Sequence, residues 1–243
     1  LAAAYRKNGQ PAEAKKVYDA ILELKPEEKD AYFLRGSAEL ELGDYESAKA
    51  DFDKAISMDP KNYDRLIEIY EALADYGYRE VGQEYLQNVL NTDKKLDAYD
   101  SGRIYYYLGD YQKAYLALEE AKGKGGVDSY LYLGKAYAAT GDYNYASSVY
   151  SNYLSKQGPD AEIYNQLGLC EMAKKDYQKA LEAFQAGKQI EGNSLMQTLS
   201  FNEIVAYEYL QDYQKAAVLL KAYLQNYPDD QAAIREQQFL STR

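Results

Sequence analysis

The sequence predicts an all-α fold, in which antiparallel helix pairs stack one after another along the chain. Three observations carry that prediction. A small residue recurs at Ala14, Ala48, Gly82, Ala114, Ala146, Ala180 and Ala216, at intervals of 34, 34, 32, 32, 34 and 36 residues. A turn precedes most of them, as in Gly43-Asp44-Tyr45, Gly109-Asp110-Tyr111 and Gly141-Asp142-Tyr143. Between the small residues, aromatics fall at helical spacing.

The stretch from Val127 to Pro159 shows the logic most fully. Gly134 and Ala146 are small enough to let two helix backbones approach closely. Tyr130, Tyr137, Tyr143 and Tyr150 fill the space around that crossing. Gly141 supplies the left-handed conformation that ends the first helix, and Asp142 caps the amides that open the second. Pro159 stops the second helix. A single hairpin of this kind cannot bury its apolar face, so copies must stack.

Taken in order, residues 1–28 are a partial first repeat, with Tyr5, Gly9, Ala14, Tyr18 and Pro26. Residues 29–62 form repeat 2, with Tyr32, Gly36, the Gly43-Asp44-Tyr45 turn, Ala48, Phe52 and Pro60. Repeat 3, residues 63–94, is the most degenerate. Tyr70 stands where a close-contact glycine is expected and Gly82 where an alanine is, which reads as a size swap across one contact. Repeat 4, residues 95–126, recovers Gly102, Tyr105, Ala114 and Ala121. Its closing Gly123-Lys124-Gly125-Gly126 link is expected to be the flexible joint of the array. Residues 127–160 are repeat 5. Residues 161–196 are repeat 6, with Tyr164, Gly168, Asp176-Tyr177, Ala180 and Phe184. Residues 197–230 are repeat 7, with Tyr207, Asp212-Tyr213, Ala216, Tyr223 and Pro228. Residues 231–243 form a C-terminal capping helix whose glutamine-rich face suits solvent.

This pattern resembles the tetratricopeptide repeat, with an aromatic at position 4, Leu-Gly at 7–8, Tyr at 11, Ala at 20, an aromatic at 24 and Pro near 32. Repeat 2 departs from it at Arg35 and Glu39, where Leu and Tyr are usual. The resemblance implies a right-handed superhelical solenoid of about seven repeats. It also implies a concave groove lined by the first helices, with positions 2, 5, 6, 9, 12 and 13 facing inward. The tyrosine-rich style is similar to that of bacterial members of the family.

Composition narrows the function classes. The apolar content of 47% supports a continuous core, and no run reaches the length of a membrane-spanning helix. The net charge of −11 is concentrated in residues 27–100, which carry 19 acidic and 9 basic side chains. Such a surface disfavours nucleic acid, whose binding relies on neutralising phosphates. The chain contains no histidine, which removes the commonest general base and metal ligand. Its single cysteine, Cys170, lies within a predicted helix beside Gly168 and reads as a buried structural residue. No catalytic constellation, phosphate loop, cofactor motif or metal-ligand cluster is found, so no enzymatic role, cofactor or metal is expected. Starting at Leu1, in the middle of a first helix by its register, the chain is expected to be a fragment. Its localisation is left open between the cytoplasm and a bacterial surface lipoprotein.

About half of the 29 tyrosines occupy core positions of the repeat. Tyr99, Tyr106, Tyr107, Tyr132 and Tyr209 do not, and tyrosine suits binding surfaces. By the resemblance, position 5 reads Phe33, Ile67, Tyr99, Leu131, Asn165 and Phe201. Position 9 includes Ser37, Glu71, Arg103, Lys135 and Val205, and position 12 includes Tyr106 and Glu208. With Glu68 and Asn202, the groove then runs from acidic (Asp64, Glu68, Glu71, Asp75) through basic and aromatic (Tyr99, Arg103, Tyr106, Lys135) to amide-rich and apolar (Asn165, Gln166, Phe201, Asn202). Arg103 and Lys135 would form an anionic contact point in that middle stretch. No run of three repeats supplies the Lys, Asn and Arg clamp with which some members hold a chaperone's C-terminal tail, so that ligand is disfavoured. The expected function is therefore a non-catalytic scaffold binding a protein or peptide segment. The alternative is a structural spacer or self-assembly module in a larger multidomain protein or surface lipoprotein.

Overall fold

The computed structural model describes residues 1–121 and 123–242, which hold fifteen α-helices and no strand. They fall into two compact units, Leu1–Gly109 and Asp110–Arg243. The first unit contains α1 (Ala2–Lys7), α2 (Pro11–Leu24), α3 (Lys29–Glu41), α4 (Tyr45–Met58), α5 (Tyr63–Asp75), α6 (Arg79–Thr92) and α7 (Ala98–Tyr107). The second contains α8 (Tyr111–Glu120), α9 (Val127–Ala139), α10 (Tyr143–Gln157), α11 (Ala161–Ala173), α12 (Tyr177–Lys188), α13 (Met196–Tyr209), α14 (Tyr213–Asn226) and α15 (Gln231–Leu240). Within each unit, every helix packs on the one before it and the one after it. This is the nearest-neighbour stacking that the repeated hairpins predict.

The recurring alanines sit where the sequence places them. Ala14, Ala48, Ala114, Ala146, Ala180 and Ala216 are all fully buried. The crossings pair a small residue with a large one. A Cβ built on Gly36 would come within 2.8 Å of Phe52, and one on Gly168 within 2.3 Å of Phe184. The third hairpin does exchange sizes, because a Cβ on Gly82 would lie 2.9 Å from the Tyr70 ring and 3.1 Å from its Cα. Buried Leu40, Phe52, Ile69 and Leu73 continue the core of the first unit. In the second, Leu181, Phe184 and Leu199 do so, followed by Ile204, Leu220 and Tyr223.

Turn chemistry closes each pair. Asp44, Asp110, Asp142, Asp176 and Asp212 each accept the amide of the residue three further on, capping a second helix. Gly43 and Gly141 end their first helices at φ of 79° and 84°, whereas Lys175 and Gln211 hold the same left-handed conformation at 64° and 63°. Those two side chains carry strain that glycine avoids. The Gly123–Gly126 link, expected to be the joint, is tied down within the second unit. The Lys124 amide donates to Ala121 O at 2.8 Å and the Ser129 hydroxyl to Gly126 O at 3.1 Å. The division between units falls earlier, at Gly109-Asp110.

Candidate functional site

In the first unit, much of the expected groove is consumed by contacts within the chain. Ser37 is buried and donates to the Phe33 carbonyl at 2.9 Å. Phe33 lies 6.1 Å from Phe52, with the Arg65 guanidinium 4.0 Å over its ring. Ile67 is buried in the core beside Leu66 and Tyr70. Glu68 pairs with Arg65 at 2.8 Å, and Glu71 accepts the Tyr107 hydroxyl at 2.6 Å. Arg103 is no surface cation. Only 7% exposed, it lies 4.5 Å over Tyr99 and pairs with both Asp64 and Asp100. Tyr106 packs edge-on against Tyr107.

The second unit holds the remaining expected residues. Lys135 reaches Glu162 at 3.5 Å, and Gln166 donates to the same carboxylate at 2.9 Å. Leu131 is half-buried, and its carbonyl receives the Tyr150 hydroxyl. Asn165 is buried and accepts the Asn202 amide at 2.9 Å, joining α11 to α13. Phe201 packs 5.7 Å from Tyr223. Arg103 and Lys135 thus belong to different compact units, and each is neutralised by carboxylates of its own.

The two departures in repeat 2 turn out to be parts of one partly buried ionic cluster. Arg35 grips Asp51 with two bonds of 2.7 and 2.8 Å and reaches Asp19 at 2.8 Å. Lys15 pairs with Asp19 and approaches Glu39 at 3.5 Å. Glu39 is 3% exposed, one of its oxygens has no partner, and burial raises its pKa to about 7. Position 11 of repeat 6 repeats the device, with buried Glu171 paired to Lys174 at 2.8 Å.

A concavity in the second unit lies between α13, α14 and α15. It encloses about 580 Å³ and is lined by Val205, Glu208, Tyr209, Gln211, Tyr213, Glu236 and Phe239. That volume is within the range of small-ligand pockets. Tyr209 is 56% exposed and stacks on Tyr177 at 4.9 Å. Burial, with the Glu236 carboxyl alongside, pushes the Glu208 pKa up to about 8. Reading by position reached Val205 and Glu208, and Tyr209 stood out as a surplus tyrosine. Glu236 and Phe239 were hidden in a helix read only as a solvating cap. That helix also buries Ala233 and Leu240 in the core.

Two other features have structural roles. Several tyrosines reach carboxylates, between repeats as Tyr85 does to Asp53 at 2.6 Å, or within one as Tyr63 does to Asp93. Cys170 is 3% exposed, and burial pushes its thiol up to about 12, so it stays protonated and inert. Among the described residues, no group of three or more acidic, cysteine or histidine side chains could hold a metal, and no helix is long and apolar enough to cross a membrane.

A model of the tetratricopeptide repeat matches residues 1–63 and 131–194, and a second such model matches 201–230. A crystal structure of a tetratricopeptide repeat protein from Parabacteroides merdae superposes with a TM-score of 0.67 at 14% identity, covering 100% of this chain and 96% of that one. YrrB, described as a tetratricopeptide repeat protein with an unusual peptide-binding site, gives a TM-score of 0.51 at 18% identity, covering 91% and 97%. A mouse FK506-binding protein-like protein is 44% identical over 62 residues, 26% of this chain. That match spans only 18% of the mouse protein's length.

Proposed function

Because the chain belongs to the tetratricopeptide repeat family, a fold of protein-interaction scaffolds, we propose that it binds a partner segment without catalysing a reaction. The segment would lie along the surface lined by the first helices of the second unit, α9, α11 and α13, and by α15. One observation carries this reading, namely that the 580 Å³ concavity is walled by first-helix residues Val205, Glu208 and Tyr209 and by α15. A partly exposed aromatic beside it provides the anchor that preformed grooves use. YrrB, similar in fold, is described as having a peptide-binding site, which accords with this reading. In the first unit, the residues first expected to face the partner (Ser37, Ile67, Arg103) instead hold helices together. Leu131, Lys135, Phe201 and Asn202 remain the residues by which a segment would be extended from the pocket.

A peptide-display selection against the full chain, followed by hydrogen exchange of the complex, tests the proposal. Protection should appear on α9, α11, α13 and α15. Protection confined to second helices, or no selected peptide at all, would overturn it. Exposed Leu116, Tyr145 and Val218 on second helices are what a self-assembling spacer would use instead. Concentration-dependent mass in light scattering, lost when these three are made polar, would favour that reading.

A further inference from the structure

We propose that the concavity between α13 and α15 seats a basic side chain of the bound partner, an arginine in preference to a lysine. The inference rests on the groove reading above and adds the chemistry of the residue it selects. Glu208 and Glu236 both line the cavity, and the Glu208 Oε1 atom is buried without a hydrogen-bond partner. Elsewhere the chain supplies its own cation to each buried carboxylate. Asp51 has Arg35, Glu171 has Lys174, and Glu203 has Lys188 at 2.5 Å. Here it supplies none. No lysine or arginine lines the cavity, and among the described residues neither Glu208 nor Glu236 forms an ion pair.

Two neighbouring carboxylates in a partly buried site hold a shared proton until a cation replaces it. The walls choose the cation. Tyr209, Tyr213 and Phe239 give aromatic faces on which a planar guanidinium stacks, and its fork of donors spans two carboxylates at once. An ammonium offers a point charge and no stacking plane. The titratable groups lining the cavity are Glu208, Glu236, Tyr209 and Tyr213.

The test is NMR titration of the full-length labelled chain with acetyl-arginine-amide, acetyl-lysine-amide and the neutral isostere acetyl-citrulline-amide, each taken to about 100 mM. Shifts should centre on residues 205–213 and 236–239, larger and at lower concentration for arginine, and absent for citrulline. Because the cation displaces a proton, affinity should fall toward about tenfold per pH unit below 8. The isosteric variants Glu208→Gln and Glu236→Gln, each verified as folded by circular dichroism, should each lose at least tenfold. The inference fails if no localised shift appears, if citrulline matches arginine, or if the Gln variants bind unchanged. It fails too if calcium or magnesium produces the same shifts more tightly. A display-selected peptide that protects the first helices but carries no basic residue would sink this inference and leave the groove reading standing. The absence of any such peptide, with arginine shifts intact, would do the reverse.

Discussion

Replacing Gly134 by alanine should destabilise the second unit, although alanine is the better helix former. In an exposed helix interior the change would gain about 1 kcal/mol. Here the added Cβ would lie 2.2 Å from Tyr150 Cζ and 2.4 Å from Cε1, where ordinary contact begins at 3.4 Å, so the ring must withdraw by more than 1 Å. Tyr150 is fully buried, and its hydroxyl is directed at the Leu131 carbonyl, so the ring has nowhere to go without parting α9 from α10. Overpacking of this kind costs up to about 3 kcal/mol, which leaves a net loss of about 2 kcal/mol. The melting temperature should drop by about 4–8 °C.

The same chain suggests the rescue. In its last hairpin the corresponding pair is Ile204 and Leu220, both buried, so a larger residue on one helix is accommodated by a smaller one on the other. Tyr150→Leu alone should be destabilising, yet the double variant should be more stable than additivity predicts by at least about 1 kcal/mol. Thermal unfolding followed by circular dichroism gives the sums, and hydrogen exchange in α9 and α10 locates the effect, since stacked repeats need not unfold all at once. An unchanged or raised melting temperature for Gly134→Ala, or strict additivity in the cycle, would refute the close-contact account.

Three further outcomes follow from the same geometry. Lys175→Gly and Gln211→Gly relieve left-handed strain and should each stabilise the second unit by about 0.5–1 kcal/mol in chemical denaturation, whereas Gly141→Lys should do the opposite. Glu39 has a pKa raised from 4.5 to about 7 in the fold, so the folded state holds the extra proton and stability should decline as pH rises through that interval. Glu39→Gln should flatten that part of the stability–pH curve, as read from melting temperatures between pH 4.5 and 8. Arg35→Leu abandons buried Asp51 without its cation and should cost about 3–5 kcal/mol in urea unfolding, even though it restores the residue usual at that position.

The fold was legible because its determinants are local and periodic. Ala48, Ala146 and Ala180 announce the crossings, and Asp142 with Gly141 announces a turn, without knowledge of any distant partner. The compensating pair Tyr70 and Gly82 could be read for the same reason, being neighbours across one hairpin. The site was less legible because a groove position gives the direction of a side chain, not what meets it there. Arg103 was expected to meet a partner, but it is buried and Asp64 from another helix takes its charge. Asn165 is claimed by Asn202 in the same manner. The Glu208 pocket depends on Glu236 and Phe239, which lie in a helix outside the repeat register and bear no motif. The one clue at hand was repeat 2, where Arg35 and Glu39 broke the pattern together, as two members of one ion network must.

The phenol hydroxyls that clasp nearby carboxylates give this chain an optical signature. With 29 tyrosines, five phenylalanines and no tryptophan, its near-ultraviolet absorbance and emission are dominated by phenol. Tyr63, Tyr137 and Tyr223 are pushed up to about 12 by burial, followed by their acidic neighbours, and Tyr85 is raised for the same reasons. Unperturbed tyrosines ionise near pH 10. Alkaline titration watched at the phenolate band should therefore rise in two waves, and the second should coincide with loss of helical signal as the clasps between neighbouring coils let go.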